Sequence, residues 1–192
     1  MHAFEATTPL GPALQFAFVV DDLDSALQFW LQSMGVGPFF HIEKASYREL
    51  RYRGQVTTPE YSVALAYWGD TQIELITQSC ATPSIYREFL DEGRSGQLHH
   101  ICVSTDDMDR FQREAQARGF EELAHLTLEP SGRVAYFRSS HARWPLTEVG
   151  AFTARILEFF ETVRRASVGW DGSEPIRSFG PSAKTATESV AS

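Results

Sequence analysis

The chain has little of what several protein classes require. Among its 192 residues only two are cysteines, Cys80 and Cys102, too few for a disulfide framework or a thiolate metal site. No run approaches the roughly 18 apolar residues that a membrane helix needs. The first residues lack the basic patch and apolar core of a secretory signal. We therefore expect a soluble, cytoplasmic protein with reduced thiols and no membrane partner.

Basic residues are also scarce relative to acidic ones. The chain has 17 lysines and arginines against 25 aspartates and glutamates, a net charge of −8. A general nucleic-acid binder needs a basic surface to neutralise phosphates, so we expect a small-molecule partner and no nucleic acid. The apolar fraction is ordinary, and the length allows one sizeable core or two small modules that share one.

Two stretches of the chain resemble each other. Residues 14–24 read LQFAFVVDDLD and residues 98–109 read LHHICVSTDDMD. An offset of 85 residues places Asp22 on Asp107 and Gln15 on His100. Each stretch alternates like a strand and then meets aspartates of the kind that cap helices. Self-similarity of this length indicates a duplicated supersecondary unit.

Both copies continue with the same predicted elements: a strand, a helix that ends near a glycine, and three further strands. This order predicts an α+β fold with two βαβββ modules. The predicted boundaries are a leader at 1–12, a first module at 13–80, a connector at 81–97, a second module at 98–152, a C-terminal helix at 153–168 and a poorly ordered tail at 169–192. We expect the C-terminal helix to cover an edge or face of the sheet, with a contact in a homodimer as the alternative.

The repeated unit, opened by VVDDLD and HHICVSTDDMD, resembles the vicinal oxygen chelate superfamily. That group includes glyoxalase I, methylmalonyl-CoA epimerase, extradiol dioxygenases and bleomycin-resistance proteins. The connector EFLDEGRSGQLHHICV is particularly similar to the epimerase and glyoxalase-like branches. The resemblance covers about residues 13–152. It implies two modules whose mixed sheet curls around a cup-shaped cavity for metal and ligand.

The resemblance also implies metal ligands on the first and last strands of each module. Those positions hold Gln15, Glu74, His100 and Glu148, the set of the glutamine-type glyoxalase I enzymes, whereas epimerases usually carry His, Gln, His and Glu. Strand alternation independently puts each candidate on the face with smaller or more polar neighbours. One amide, one imidazole and two carboxylates suit a divalent ion such as Zn, Mn, Co, Ni or Mg.

The chemistry implied by glyoxalase I is proton transfer next to a carbonyl group. The metal would act as a Lewis acid that stabilises an enediolate, and Glu148 would be the general base. We expect His99 to face the helix layer as a structural residue. Aromatic residues favour a bulky apolar substrate or a thioester, and the predicted substrate-binding residues are Tyr67, Trp68, Tyr136 and Trp144.

Other functions on the same fold stay open. One is a small-molecule binding or sequestering protein of the bleomycin-resistance type, without turnover, and another is a metal-free enzyme. An extradiol dioxygenase is disfavoured, because Gln15 replaces one of the two histidines that this chemistry uses. Val19 stands where glutathione-binding glyoxalases carry an arginine, which argues against glutathione as the cosubstrate. Ligand affinity that a chelator does not change would favour the binding protein.

Overall fold

The computed structural model describes residues 11–128, 132–140 and 144–179. Within them, eleven strands form one mixed sheet. The strands are β1 (Gln15–Val19), β2 (Phe39–Ile42), β3 (Glu49–Tyr52), β4 (Gln55–Thr57), β5 (Ser62–Trp68), β6 (Thr71–Thr77), β7 (Leu98–Ser104), β8 (Phe120–Leu128), β9 (Gly132–Ser139), β10 (Leu146–Ala151) and β11 (Ile176–Ser178). The helices are α1 (Leu23–Gln28), which continues into a π-helical segment (Phe29–Ser33), α2 (Ile85–Asp91), α3 (Met108–Ala117) and α4 (Ala154–Ser167). No helix of the described residues is both long enough and apolar enough to cross a membrane.

The strand order shows the duplication directly. The sheet runs β11-β2-β5-β6-β1-β7-β10-β9-β8-β3-β4. The first module contributes the four consecutive strands β2-β5-β6-β1, the second contributes β7-β10-β9-β8, and the two sets meet at β1 and β7. In both modules the first strand pairs in parallel with the last, β1 with β6 and β7 with β10. The two first strands pair with each other in antiparallel fashion. The predicted α+β fold with two βαβββ modules is confirmed.

One face of the sheet, here called the outer face, packs against α1 and α3. The helices begin where the sequence predicts, because the side chain of Asp22 accepts a hydrogen bond from the backbone N–H of Ser25, and Asp107 accepts one from Arg110. Such caps each contribute about 0.5–2 kcal/mol. Burial of apolar side chains contributes more, about 1.5–3 kcal/mol for each large one, and Ile73 and Leu75 of β6 are completely buried against α1.

The opposite, inner face packs against α2 and α4. Val163 of α4 is completely buried, and the Phe159 ring lies 6.2 Å from the Phe40 ring of β2. The chain can turn from β10 into α4 because Gly150 has no side chain: a Cβ atom there would lie 2.1 Å from the Phe152 ring. Helix α4 therefore covers part of the sheet of its own chain.

Two features of the sheet lie outside the prediction. The β3–β4 hairpin belongs to the first module in sequence, yet β3 pairs with β8 of the second module. At the other end of the sheet, β11 pairs in parallel with β2. The stretch 169–192, predicted as a poorly ordered tail, therefore contains a short strand at Ile176–Ser178. Residues 1–10 of the predicted leader and 180–192 of the predicted tail lie outside the described residues.

Candidate metal centre

Two rows of side chains cross the central strands on the inner face. In the first row, Ala17 of β1 lies between Glu74 of β6 and His100 of β7. Because alanine is small and completely buried here, the longer side chains on either side of it can meet above it. In the second row, Cys102 of β7 lies between Gln15 of β1 and Glu148 of β10.

The structure brings together Glu74, His100 and Glu148. One ligand atom of each lies within 4.8 Å of the others. His100 Nε2 is 2.6 Å from an oxygen of Glu148 and 3.3 Å from an oxygen of Glu74. The His100 side chain is completely buried, and those of Glu74 and Glu148 are 14% and 7% exposed. Two carboxylates that are buried this deeply are costly unless a cation or a proton accompanies them.

A β-bulge places His99 beside His100. The register between β1 and β7 shifts after Ala17, which pairs with His100, whereas Phe18 pairs with Leu98. As a result the two ring Nδ1 atoms lie 2.8 Å apart, and the His99 ring packs against Phe89 of α2. Strict alternation predicts that His99 faces the outer helices, and this prediction is wrong because the extra residue of a bulge breaks the period of two.

The hydrogen bonds of His99 decide which nitrogen of His100 carries a proton. His99 Nε2 lies 3.4 Å from the carbonyl oxygen of Ile85. A carbonyl oxygen only accepts, so we assign the proton of the neutral His99 to Nε2. Its Nδ1 then accepts a hydrogen bond from His100 Nδ1–H. A neutral His100 therefore points the lone pair of Nε2 towards the two carboxylates.

A divalent cation fits this arrangement. His100 Nε2 is buried and makes no well-formed hydrogen bond within the part of the chain that the structure describes, despite its short distance to Glu148. A nitrogen lone pair facing two carboxylates is repulsive unless a positive charge lies between them. One imidazole and two carboxylates are common ligands of divalent metals. In such sites the ligating histidine is usually oriented by a hydrogen bond at its other ring nitrogen, as His99 orients His100 here.

In the metal-free protein a proton supplies the positive charge. Burial by itself lowers the pKa of His100, but attraction to Glu148 and then to Glu74 outweighs it and raises that pKa to about 9. Burial and the charge of His100 hold the pKa of His99 well below its usual value, so His99 is neutral. The two carboxylates differ. Burial raises the pKa of Glu74. At Glu148, the attraction of His100 and the hydrogen bonds of His100, Tyr136 and Cys102 outweigh the effect of burial, so the pKa of Glu148 is lowered.

This charge state predicts that metal binding releases about one proton per ion at pH 7.5, because the cation replaces the proton on His100. Metal affinity should rise about tenfold per pH unit and level off above pH 9. Without metal, the protonated His100 ring stabilises the folded protein. Its contribution to the free energy of unfolding is fully present below pH 6.5, the pKa of His100 in the unfolded chain, and is lost as the pH rises through about 9, its pKa in the folded chain. Calorimetric titration in two buffers of different ionisation enthalpy counts the protons. An affinity that is constant from pH 6 to 9 would exclude this assignment.

The fourth predicted ligand, Gln15, lies on the same face, in the second row together with Glu148. Its amide nitrogen donates a 2.7 Å hydrogen bond to the side-chain oxygen of Gln72, and both side chains are buried. Its neighbour across the strands is Cys102, whose thiol lies 3.4 Å from the Glu148 carboxylate. The participation of Gln15 as a ligand stays a prediction.

The four predicted substrate-binding aromatics are scattered. Tyr136 is buried with its ring 5.2 Å from the His100 ring, and Tyr67 lines a small cavity together with Gln15. Trp144 is 69% exposed at the rim of a larger cavity. Trp68 packs against Trp30 on the outer face, away from the cluster, and its role in substrate binding stays a prediction.

Two cavities flank the buried cluster. The smaller, of about 200 Å³, is lined by Gln15, Gln72 and Cys102 from the sheet and by Leu157 and Phe160 from α4. The larger, of about 740 Å³, extends from His99 and Leu146 towards Trp144. Leu146 is the neighbour of His100 across β7 and β10, so the large cavity begins directly beside the first row.

This arrangement of strands and inward-facing ligands agrees with a sequence comparison. A family model of the glyoxalase/bleomycin resistance protein/dioxygenase superfamily matches residues 14–137. The chain belongs to this superfamily. The match includes the first module and most of the second, with three of the four predicted ligands, and the predicted resemblance is confirmed.

Solved structures share the fold of this superfamily member. Methylmalonyl-CoA epimerase from Mycobacterium tuberculosis is similar with a TM-score of 0.54 at 16% identity, over 80% of this chain and 95% of the epimerase. The hypothetical protein BH1468 from Bacillus halodurans C-125 has a TM-score of 0.53 at 17% identity, over 72% of this chain and 92% of that one. No curated protein matches the sequence. At these identities the likeness establishes the fold alone.

Proposed function

We propose that the protein is a divalent-metal-dependent isomerase or lyase that moves a proton next to a carbonyl group. The observation that carries this proposal is the buried cluster of Glu74, His100 and Glu148, with its imidazole nitrogen directed at two carboxylates. Such a cluster is costly as a purely structural feature. As a metal site it has the donors, the burial and the orienting hydrogen bond that a catalytic ion needs.

In this proposal Glu74 and His100 from the first row and Glu148 from the second hold the metal, with Gln15, also from the second row, as a fourth ligand. A bound ion would polarise the carbonyl oxygen of the substrate and so acidify the adjacent C–H group. His99 keeps the His100 ring in position through the contact between their Nδ1 atoms. Helices α2 and α4 cover part of the inner face, and the burial of the His100, Glu74 and Glu148 side chains strengthens electrostatic interactions at the site.

The chain offers two carboxylates for the general base. We assign the role to Glu148, which is also held in place by the nearby Cys102 thiol and the Tyr136 hydroxyl. One observation favours Glu74 as the alternative: burial raises its pKa, so it holds a proton more readily than Glu148 does. Comparing the activities of Glu148→Gln and Glu74→Gln decides the assignment.

Hydrogen exchange at carbon tests the reaction class. The protein, loaded in turn with Zn, Mn, Co, Ni or Mg, is incubated in deuterated buffer with hydroxyacyl thioesters and with ketoaldehyde–thiol adducts. We expect NMR to show loss of the α-proton signal of one class, dependent on the metal. Samples treated with chelator are the control. Absence of exchange from both substrate classes, with metal bound, would contradict proton transfer as the activity.

A second function, ligand binding without turnover, is favoured by the large cavity. It has a volume of about 740 Å³ and begins at His99 and Leu146, while the carboxylates of the cluster lie outside its walls. A ligand held there would need no metal contact. Affinity for a small apolar ligand that is the same with and without chelator, together with no exchange, would favour this sequestering function.

The proposal includes three properties of the protein as a whole: a small-molecule substrate that is bulky and apolar or a thioester, a cytoplasmic location, and a homodimer. Leu157 on α4 and Val168 directly after it are 49% and 72% exposed. These apolar side chains are what a second copy of the chain would cover. Sedimentation velocity measures the oligomeric state.

A further inference from the structure

The small cavity beneath α4 leads across the sheet towards Glu148. We propose that it holds the reacting end of the substrate, and that Phe160 of α4 restricts the acyl part next to the reacting carbonyl to a short, uncharged group. This inference rests on the proposed function, for which it names the substrate class: carbonyl compounds with a short acyl part that carries no carboxylate. A longer remainder of the substrate, such as a thioester chain, leaves the cavity at its mouth.

The floor of the cavity is the second row of side chains on the inner face. The register of the strands places six side chains next to each other in the order Tyr67, Gln72, Gln15, Cys102, Glu148 and Tyr136. The first four of them line the cavity, and the thiol of Cys102 lies 3.4 Å from the carboxylate of Glu148. Because Gln15, a proposed metal ligand, belongs to this floor, a carbonyl group at the Cys102 end lies beside the proposed metal centre and its general base.

Helix α4 forms the wall opposite this floor. Val163 of this helix is completely buried, and the ring of Phe159 stacks on that of Phe179 at a centroid distance of 4.0 Å, so the helix is packed tightly. The Phe160 ring lines the cavity and lies 5.3 Å from the ring of Phe152, which directly follows β10. The wall near Phe160 is therefore next to the strand that carries the proposed base, and a ring held there restricts what fits beside the carbonyl.

The cavity opens at its other end, beside the turn between β5 and β6. Asp70 in this turn is exposed, Tyr67 is half-buried, and Leu157 of α4 is 49% exposed. Cys102 at the opposite end is buried, with 1% of its surface exposed. A substrate therefore enters with its reacting carbonyl first, and the size of the part that stays at the mouth is not restricted.

The volume of the cavity limits the buried part of the substrate. It is about 200 Å³, below the range of about 300–1,000 Å³ that is usual for small-molecule sites. A water molecule occupies about 30 Å³ of the liquid, so the cavity has room for roughly seven non-hydrogen atoms. This limit suits the carbonyl group and a short alkyl chain, but it excludes an additional aryl group in the buried part.

The charges around the cavity do not favour an anion. Among the described residues that line it, the charged ones are Asp70 and Glu161, both of them acidic. Arg164 donates to both oxygens of Glu161, at 2.7 and 2.9 Å, so its guanidinium is already paired. A carboxylate in the buried part of the substrate would lack a cationic partner, and burying an unpaired charge is costly.

Two probes that differ by one phenyl ring test the size limit: 2-oxobutanamide and 2-oxo-4-phenylbutanamide. NMR titration of the metal-free protein measures their dissociation constants, so that no metal contributes to binding. We expect wild type to bind the smaller probe about tenfold or more tightly than the larger one, because the added ring collides with Phe160. Phe160→Ala removes one phenyl ring from the wall, so this variant should bind the larger probe about tenfold or more tightly than wild type does.

The matched control is Phe159→Ala, the same truncation at the next position of the helix, where the ring packs against Phe40 and Phe179. This variant should keep the preference of wild type. Phe160→Leu is a milder truncation that should narrow the preference, and it tests the limit even if the alanine variant does not fold. 2-Oxobutanoate has nearly the shape of the smaller probe but carries a carboxylate, and it should bind wild type about tenfold or more weakly.

Equal affinity of wild type for the two amides, an unchanged preference in both Phe160 variants, or equal affinity for 2-oxobutanamide and 2-oxobutanoate would overturn the inference. Metal content and α-proton exchange are measured on the same protein. Size-selective binding by a protein that takes up no metal contradicts only the proposed function. Metal binding and exchange by a protein without this selectivity contradict only the inference about the cavity.

Discussion

Replacing Glu148 with glutamine is expected to lower kcat for α-proton exchange by about 10²–10⁴-fold, the usual effect of losing a general base. The amide has almost the same shape and keeps an oxygen that can ligate a cation, but it cannot accept the proton. Metal should therefore remain bound, with somewhat lower affinity. The measurement is the rate of deuterium incorporation at saturating substrate, together with the metal content of the same sample.

Two comparisons make this prediction specific. If Glu74 is purely a ligand, Glu74→Gln should reduce the metal content of the protein, whereas the chains that still hold metal should keep most of their activity. Glu122→Gln is the control for a partly exposed glutamate, which accepts hydrogen bonds from Gln112 and His125 outside the site. If Glu148→Gln retains activity while metal-loaded Glu74→Gln loses it, the base is Glu74, as its raised pKa favours.

His100→Ala is expected to lower the affinity for a divalent metal by more than 100-fold. Loss of a residue that only orients a ligand typically costs about 10–100-fold, and here a ligand itself is removed. Without metal, the variant loses the positive charge between two buried carboxylates, so the free energy of unfolding should fall by about 3–5 kcal/mol. Competition with a chromogenic chelator measures the affinity, and urea denaturation measures the stability.

The control for this variant is His125→Ala. His125 is 40% exposed and pairs with Glu122 at 2.7 Å, so both its metal affinity and its stability should stay near wild type. Metal affinity in His100→Ala within a few-fold of wild type would place the ion elsewhere. A large loss of stability without any change in metal binding would leave the cluster as a structural ion pair.

Sequence patterns predicted those parts of the structure that depend on local rules. Asp22 and Asp107 cap helices because the side chain of an N-cap residue needs only the backbone N–H groups that follow it. Alternation put His100 and Glu148 on one face because both lie in regular pairing with their neighbours. The duplicated order of elements then fixed the fold class.

Patterns failed where distant parts of the chain decide the outcome. The bulge that turns His99 inward arises from the register between β1 and β7, although the histidine pair at 99–100 was a visible signal of a special position. Tyr67 and Trp68 are adjacent in a regular strand, so they could not both face the site. The pairing of β11 with β2 and the cavity around Arg138 join residues far apart in sequence, and no local period indicates them.

The amount of metal bound to the wild-type protein is the most direct test of the proposed metal centre. The protein is purified without a metal-binding tag, offered each divalent ion, freed of excess by gel filtration, and measured by elemental analysis per chain. We expect about one divalent ion per chain, removed by a strong chelator and restored by reloading. Absence of stoichiometric metal under every loading condition would contradict it, and the cluster of Glu74, His100 and Glu148 would then be a buried ion pair beside a ligand-binding cavity.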